Sequence, residues 1–254
     1  MTGLKLIKHW RWRALDRKLR AGGAGRGLPD ANLRVNAAPL LAIDLEMTGL
    51  NPATDAIVSI GWVPIDRGAI DLAGASEVGL AAEPSRSVGH SATIHGIRDC
   101  DRVGGLEPSQ ALGQLLQALT ERIAVFHHAP LDTSFLDRAL RREFGTGWRI
   151  PWIDTLDWFR RRQADRDHDD AGASTRLDAV REAFGLDARS AHNALDDAIS
   201  CAEVALVLAA HSRARLLDAC KLPRGRWPQL GQSQKRKTAL AKTQSREEKR
   251  KEES

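Results

Sequence analysis

The sequence predicts an α/β fold in which a mixed five-stranded sheet is flanked by helices. Three observations carry that expectation. Apolar, strand-like segments follow one another near residues 39–47, 56–65 and 69–80 with turn residues between them, as in a meander. Helix-like and strand-like periodicities then alternate down the chain, the pattern of helices packed on a sheet. The chain has 254 residues and 42% apolar content, enough to bury a full core as one domain or two small ones.

The elements follow in order. A basic, Trp-containing stretch, residues 4–19, reads as a short amphipathic helix, and the glycines of residues 22–29 read as a linker. The first strand is the apolar run before Thr48-Gly49, the second runs through Ile57-Val-Ser-Ile-Gly-Trp-Val63, and the third closes the meander. Leucines at 112, 115, 116 and 119 place a helix near 107–121. A strand follows near 123–127, a helix near 132–144, a strand near 151–154, and helices near 155–163, 174–184 and 192–210. Trp148, Trp152 and Trp158 surround the fifth strand and are expected to pack against it, and Arg160–Arg162 fall at a helix end before an exposed Asp/His-rich loop.

Charge divides the chain into three. Residues 1–34 hold nine Lys/Arg against two Asp/Glu, residues 221–254 eleven against four, and the stretch between them 18 against 27. Every lysine lies in the two flanks. This sets the expected boundaries: a basic N-terminal helix and Gly-rich linker over 1–36, a folded domain over 37–220, and a basic tail over 221–254 that is expected to be disordered past about residue 228. The flanks read either as solubilising segments or as attraction for an anionic polymer. The N-terminal helix fits docking on the body, holding nucleic acid, or touching a membrane surface; docking is the plainest. It lacks the apolar run and small-residue cleavage site of a signal peptide, and no segment is long enough to span a bilayer. Cys100, Cys201 and Cys220 form no Cys-x-x-Cys pair or zinc spacing, Cys201 reads as a core residue, and the chain reads as a cytoplasmic protein without structural disulfides.

The most informative feature is Asp44 and Glu46, one residue apart inside the first apolar strand. Side chains at i and i+2 share a strand face, so both carboxylates project into one small volume. Two neighbouring anions in an apolar setting repel unless one takes a proton or a cation lies between them, and a hard divalent cation suits oxygen ligands. An edge strand with a solvated polar face would give the same two residues.

Two other segments bear on that choice. Val125-Phe-His-His-Ala-Pro-Leu-Asp132 ends a short strand and places Asp132 at a helix start, where it serves either as a dipole-favoured first-turn acid or as a site residue. His192 and Asp197 lie five apart, a poor spacing for one helix face, so a shared site would put His192 in the loop or at the helix start and Asp197 within the helix.

Together, Ile43-Asp-Leu-Glu-Met-Thr-Gly-Leu50, Ala92-Thr-Ile-His-Gly-Ile97, His127-His-Ala-Pro-Leu-Asp132, Ile153-Asp-Thr-Leu156 and His192-Asn-Ala-Leu-Asp-Asp-Ala198 resemble, in order, the motifs of the DEDDh family of 3'-to-5' exonucleases. The likeness is closest to the DnaQ-like branch, which includes proofreading subunits of replicative polymerases, and spans about residues 38–210. It implies a ribonuclease H-like fold. Two departures sit beside the second motif: His128 stands where the family commonly has Asn, and Leu131 where it has an aromatic residue. Adjacent Asp196 and Asp197 leave the third carboxylate ambiguous by composition; the family spacing selects Asp197, leaving Asp196 as a solvated residue. With no Tyr in the chain, the tyrosine-using variant of the family is excluded.

The resemblance implies two Mg2+ or Mn2+ ions, about 3.5–4 Å apart, held by Asp44, Glu46, Asp132 and Asp197, with His192 as general base. It also places Thr48, Gly49 and His95 at the terminal nucleotide, although Gly49 read alone simply ends a strand in a turn and His95 reads equally as a loop histidine. The implied activity is release of nucleoside monophosphates from single-stranded or frayed DNA 3' ends in proofreading or repair. The same chemistry on short RNA is the nearest alternative, since Asp44-Leu-Glu-Met-Thr-Gly-Leu-Asn-Pro52 also resembles the oligoribonucleases. A non-catalytic polymerase-docking or nucleic-acid-binding subunit is the alternative of another class. A DNA polymerase partner is left unsupported, because the tail shows no clear sliding-clamp motif.

Overall fold

The structure, a computed structural model, describes residues 3–20, 27–81, 104–164, 176–187, 189 and 193–223. His95 and its segment, His192, the Asp/His-rich loop and most of the linker and basic tail lie outside the described residues.

The sheet grows outward from strand β1 (Leu40–Met47). It pairs antiparallel with β2 (Ile57–Asp66) on one side and parallel with β5 (Ile123–Phe126) on the other, and β5 pairs parallel with β6 (Trp152–Asp154). The single expected strand over 69–80 is two strands, β3 (Ala69–Ile70) and β4 (Ser76–Gly79), both antiparallel to β2, so the described sheet has six strands rather than five. The break has a local cause. Pro64 in β2 has no N–H to offer an edge partner, and opposite it the chain leaves the ladder for a 3-10 turn over Leu72–Gly74, where the Asp71 carboxylate accepts from the Ala73 amide at 3.1 Å.

Alternation along β1 assigns its two faces. Leu41, Ile43 and Leu45 point into the main core with Ile60, Trp62, Phe126 and Trp148, against helices α2 (Pro108–Ala118) and α3 (Ala129–Phe144). Trp148 meets Phe126 edge-on, ring centroids 5.7 Å apart. The other face, carrying Ala42, Asp44 and Glu46, lies under helix α6 (Ala194–Ala210), whose buried Ala194, Ala198, Ala202 and Ala205 let it approach the sheet closely. Helices α4 (Thr155–Ala164) and α5 (Leu177–Ala183) pack beside α6 through Phe159, Val180, Val204 and Leu208. Helix α1 (Gly3–Leu19) lies on the body: Trp12 is buried with its indole donating to Pro29 O at 3.2 Å, and Lys5 pairs at 3.0 Å with Asp218 of the short helix α7 (Leu216–Ala219), which the sequence reading did not anticipate.

Candidate active site

Asp44 lies beyond the last residue at which β1 pairs with β5, in the crevice at the carboxyl ends of the parallel strands. Helix α6 begins over the same ground and brings Asp197 from above. Ligand oxygens of Asp44, Glu46 and Asp197 lie within 4.8 Å of one another. Asp197, not Asp196, lies beside the strand carboxylates, while Asp196 faces Arg189 at 3.8 Å.

Asp132 stands in the first turn of α3 and is buried, against the ordinary exposure of a first-turn acid. It is not one of the close trio, yet its charge reaches Asp44. Desolvation, then repulsion from Asp132, Asp197 and Glu46, pushes the Asp44 carboxyl well above the carboxylate range, although the residue as a whole is only half-buried. Burial and then Asp197 and Glu77 push Glu46 up to about 7. Burial, with Asp154 and Glu46, pushes Asp132 up to about 8, opposed by a backbone hydrogen bond. The centre thus holds more negative charge than the protein neutralises.

The donor set fits a hard divalent cation. All three close ligands are carboxylates, and no Lys or Arg partner satisfies Asp44 or Glu46 among the described ion pairs. Ser59, opposite Glu46 in the β1–β2 ladder and so on its face, is buried with its hydroxyl unpaired among the described residues, as a site completed by bound water or ion would leave it.

The turn from β5 into α3 explains one departure from the family pattern. His128 adopts a left-handed backbone, φ 69° and ψ 49°. Asn suits that conformation best among non-glycine residues, and His is also enriched there, so the substitution keeps the turn. Leu131 packs on the main core in place of an aromatic residue. His127 is held at its Nδ1 by Thr155 Oγ1 at 2.8 Å, and Thr155 Oγ1 donates in turn to Phe126 O at 3.2 Å.

Asp154, in the Ile153-Asp-Thr-Leu156 segment, has a role that its sequence context shows only in part. Its Oδ1 accepts from the amides of His128, Leu156 and Asp157 at 3.2, 3.1 and 3.2 Å, and its Oδ2 from Ala129 at 3.1 Å. One buried carboxylate therefore gathers the N-termini of both α3 and α4. An Asp ending a strand just before a helix-like run is a cap signal that sequence carries; the second helix it serves is visible only in three dimensions.

Thr48 and Gly49 lie just past the trio. The Thr48 hydroxyl accepts from Ala56 N at 2.9 Å, and Gly49 passes so close to Asp55 that a Cβ there would lie 2.4 Å from its carboxylate. Their geometry thus has a purely local explanation in the loop that follows β1.

The exonuclease family model named for RNase T matches residues 41–205. The chain belongs to this exonuclease family. A PolC-type DNA polymerase III of Thermotoga maritima is 33% identical over 170 residues, covering 66% of this chain and 12% of that protein, so this chain spans a small part of that relative's length. Among solved structures, E. coli Exonuclease I in complex with a dT13 oligonucleotide superposes with a TM-score of 0.58 at 18% identity, over 67% of this chain and 41% of that one. Exonuclease X in complex with 5' overhanging duplex DNA superposes with a TM-score of 0.55 at 19% identity, over 71% of this chain and 96% of that one. The fold is the ribonuclease H-like α/β fold of these exonucleases, and the family the chain belongs to is one of exonucleases. No helix among the described residues is long and apolar enough to cross a membrane.

Proposed function

We propose that this protein removes nucleoside monophosphates from the 3' end of DNA, with two Mg2+ or Mn2+ ions held by Asp44, Glu46, Asp132 and Asp197. The convergence of Asp44, Glu46 and Asp197 within 4.8 Å carries the reading. Divalent ions, when bound there, would neutralise the added charge of phosphodiester hydrolysis and lower the pKa of the attacking water. Asp44 and Glu46 supply ligands from one strand face, Asp197 from the helix above it, and Asp132 from the start of α3. His192, five positions before Asp197 in sequence, is proposed as the general base, since an imidazole takes up a proton near neutral pH. Thr48, Gly49 and His95 are proposed to border the terminal nucleotide, and the basic flanks to draw in the polyanion.

DNA is favoured over RNA by the likeness to a polymerase and to exonucleases solved with DNA. The polymerase likeness also favours a role in proofreading or repair in the cytoplasm, with a polymerase as partner. Degradation of 3'- and 5'-labelled single-stranded DNA and matched RNA, with Mg2+, Mn2+ or EDTA, tests the whole. Metal-dependent loss from the 3' end, abolished by Asp44→Ala and strongly slowed by His192→Ala, is expected. A folded protein that binds these strands yet cleaves neither with either metal would overturn it and leave a binding subunit. The DNA-to-RNA ratio decides the substrate, and retention of a replicative polymerase in a pull-down decides the partner.

A further inference from the structure

We infer that Glu77 is a positioning residue for the carboxylate centre, acting through Asn193 on the first turn of α6. The inference rests on the metal-dependent reading above and names a part of the site that reading does not use.

Asp44, Gly61 and Glu77 form one row across three adjacent strands, Asp44 opposite Gly61 and Gly61 opposite Glu77. Residues directly opposite one another share a face, so two carboxylates flank a position with no side chain. The start of α6 fills that gap: a Cβ on Gly61 would lie 2.2 Å from the Ala194 carbonyl carbon and oxygen. The preceding residue, Asn193, then uses both the nitrogen and the oxygen of its side-chain amide. Its Nδ2 donates to Glu77 Oε2 at 2.9 Å, while its Oδ1 accepts from the amides of Leu195 and Asp196 at 3.0 and 3.1 Å. Its backbone carbonyl accepts from Asp197 N at 2.9 Å. Glu77 therefore fixes the orientation of the cap, the cap fixes the turn that carries Asp197, and Asp197 completes the trio with Asp44 and Glu46.

Charge points the same way. Glu77 adds repulsion to Glu46 in a centre already overloaded with anions. A neutral residue would relieve that repulsion; what a carboxylate adds is a strong, charge-assisted acceptor for Asn193 and further attraction for a cation.

The test compares wild type with Glu77→Ala, Glu77→Gln, Asn193→Asp and the double variant Glu77→Gln/Asn193→Asp. The readouts are the Mn2+ dissociation constant by calorimetry and the metal-free melting temperature. Glu77→Ala is expected to weaken Mn2+ binding on the order of tenfold, as loss of a partner behind a metal ligand does, while melting stays close to wild type. Glu77→Gln keeps an oxygen for Asn193 and is expected within about twofold of wild type, clearly less than that loss. Asn193→Asp sets two carboxylates against each other and is expected to match Glu77→Ala; adding Glu77→Gln returns a donor to the pair and is expected to restore binding. Unchanged Mn2+ binding in Glu77→Ala, or a Glu77→Gln as weak as Glu77→Ala, would overturn the inference. If Glu77→Ala does not fold, the Asn193→Asp variant and its Glu77→Gln rescue carry the same test, and failed rescue overturns it. Strand cleavage by wild type, scored separately, tests the exonuclease reading, because the Mn2+ series is read whether or not any strand is cut.

Discussion

Gly61 and Ala194 touch backbone to backbone: a methyl group placed on Gly61 would lie 2.2 Å from the Ala194 carbonyl, a distance no real side-chain carbon occupies. The contact seats α6 directly on β2, one strand away from Asp44, its ladder partner. The glycine is there for the space, since its own backbone is ordinary extended strand.

Gly61→Ala must therefore lift the start of α6. Because the obstructing atoms are backbone rather than the end of a flexible side chain, the helix moves, and Asp197 moves with it. Overpacking of this kind costs about 1–3 kcal/mol, and displacement of one ligand by about 1 Å is expected to lower kcat on the order of 100-fold. Melting curves and single-turnover cleavage check both; turnover within a factor of a few of wild type would show that α6 is not seated by this contact.

Asp154 makes a second prediction, separate from the first because it acts on α3 and α4. Asp154→Ala strands four amide donors from two helix starts, two of them buried with it. Losing a buried acceptor of this kind costs about 3–5 kcal/mol, whereas Asp154→Asn keeps one oxygen and is expected to lose roughly half as much. Denaturant unfolding gives the two values. A harmless Asp154→Ala would mean that the helix starts hold themselves.

Stability should depend on pH in an unusual direction when no metal is present. Glu46 is pushed up to about 7 and Asp132 to about 8, both far above their unfolded values, so between pH 4 and those values the folded state holds protons that the unfolded chain has released. Stability from these groups is therefore fully present below about pH 4 and is lost as pH rises through 7 to 8. A divalent cation held as proposed would bind the deprotonated carboxylates, so it should stabilise most where the metal-free protein is weakest. At 100 times its dissociation constant, Mg2+ or Mn2+ would add about 2.7 kcal/mol, or roughly 5–10 °C in melting temperature, at pH 8 and much less at pH 5.5. Equal shifts at both pH values would contradict a carboxylate-held cation.

How much of this was legible in sequence follows from how local each feature is. Asp44 and Glu46 announced themselves because period-two alternation alone puts them on one face. The strands and most helices fell where apolar spacing put them, with ends shifted by a few residues. What sequence did not give was contact between distant segments. Asp154 serving two helices, Glu77 reaching Asn193 across 116 residues, and Gly61 accommodating α6 each depend on where another element lands. The split of the third strand is intermediate: Pro64 was in plain view, yet its effect falls on the neighbouring strand, where Asp71 turns the chain out of the ladder. Gly61, an isolated glycine inside a strand, carried a readable hint of close backbone approach.

Asp44→Asn should separate function from stability in one substitution. Asp44 is the carboxylate on which burial and all three neighbouring anions act together. An amide of nearly the same shape removes that charge, so without metal the variant should melt higher than wild type at high pH, with the difference shrinking as pH falls and the wild-type carboxyls take up protons. The same change deletes a proposed metal ligand, so the stabilisation by Mn2+ should largely vanish and turnover should fall at least about 100-fold. Paired melting curves with and without Mn2+ at pH 5.5 and 8, beside cleavage rates, read all of this. A metal-free Asn variant less stable than wild type at pH 8 would mean that Asp44 is held by favourable contacts and is not strained by its neighbours. Stability gained while activity is lost is instead the signature of a site whose repulsion is kept for the cation it must hold.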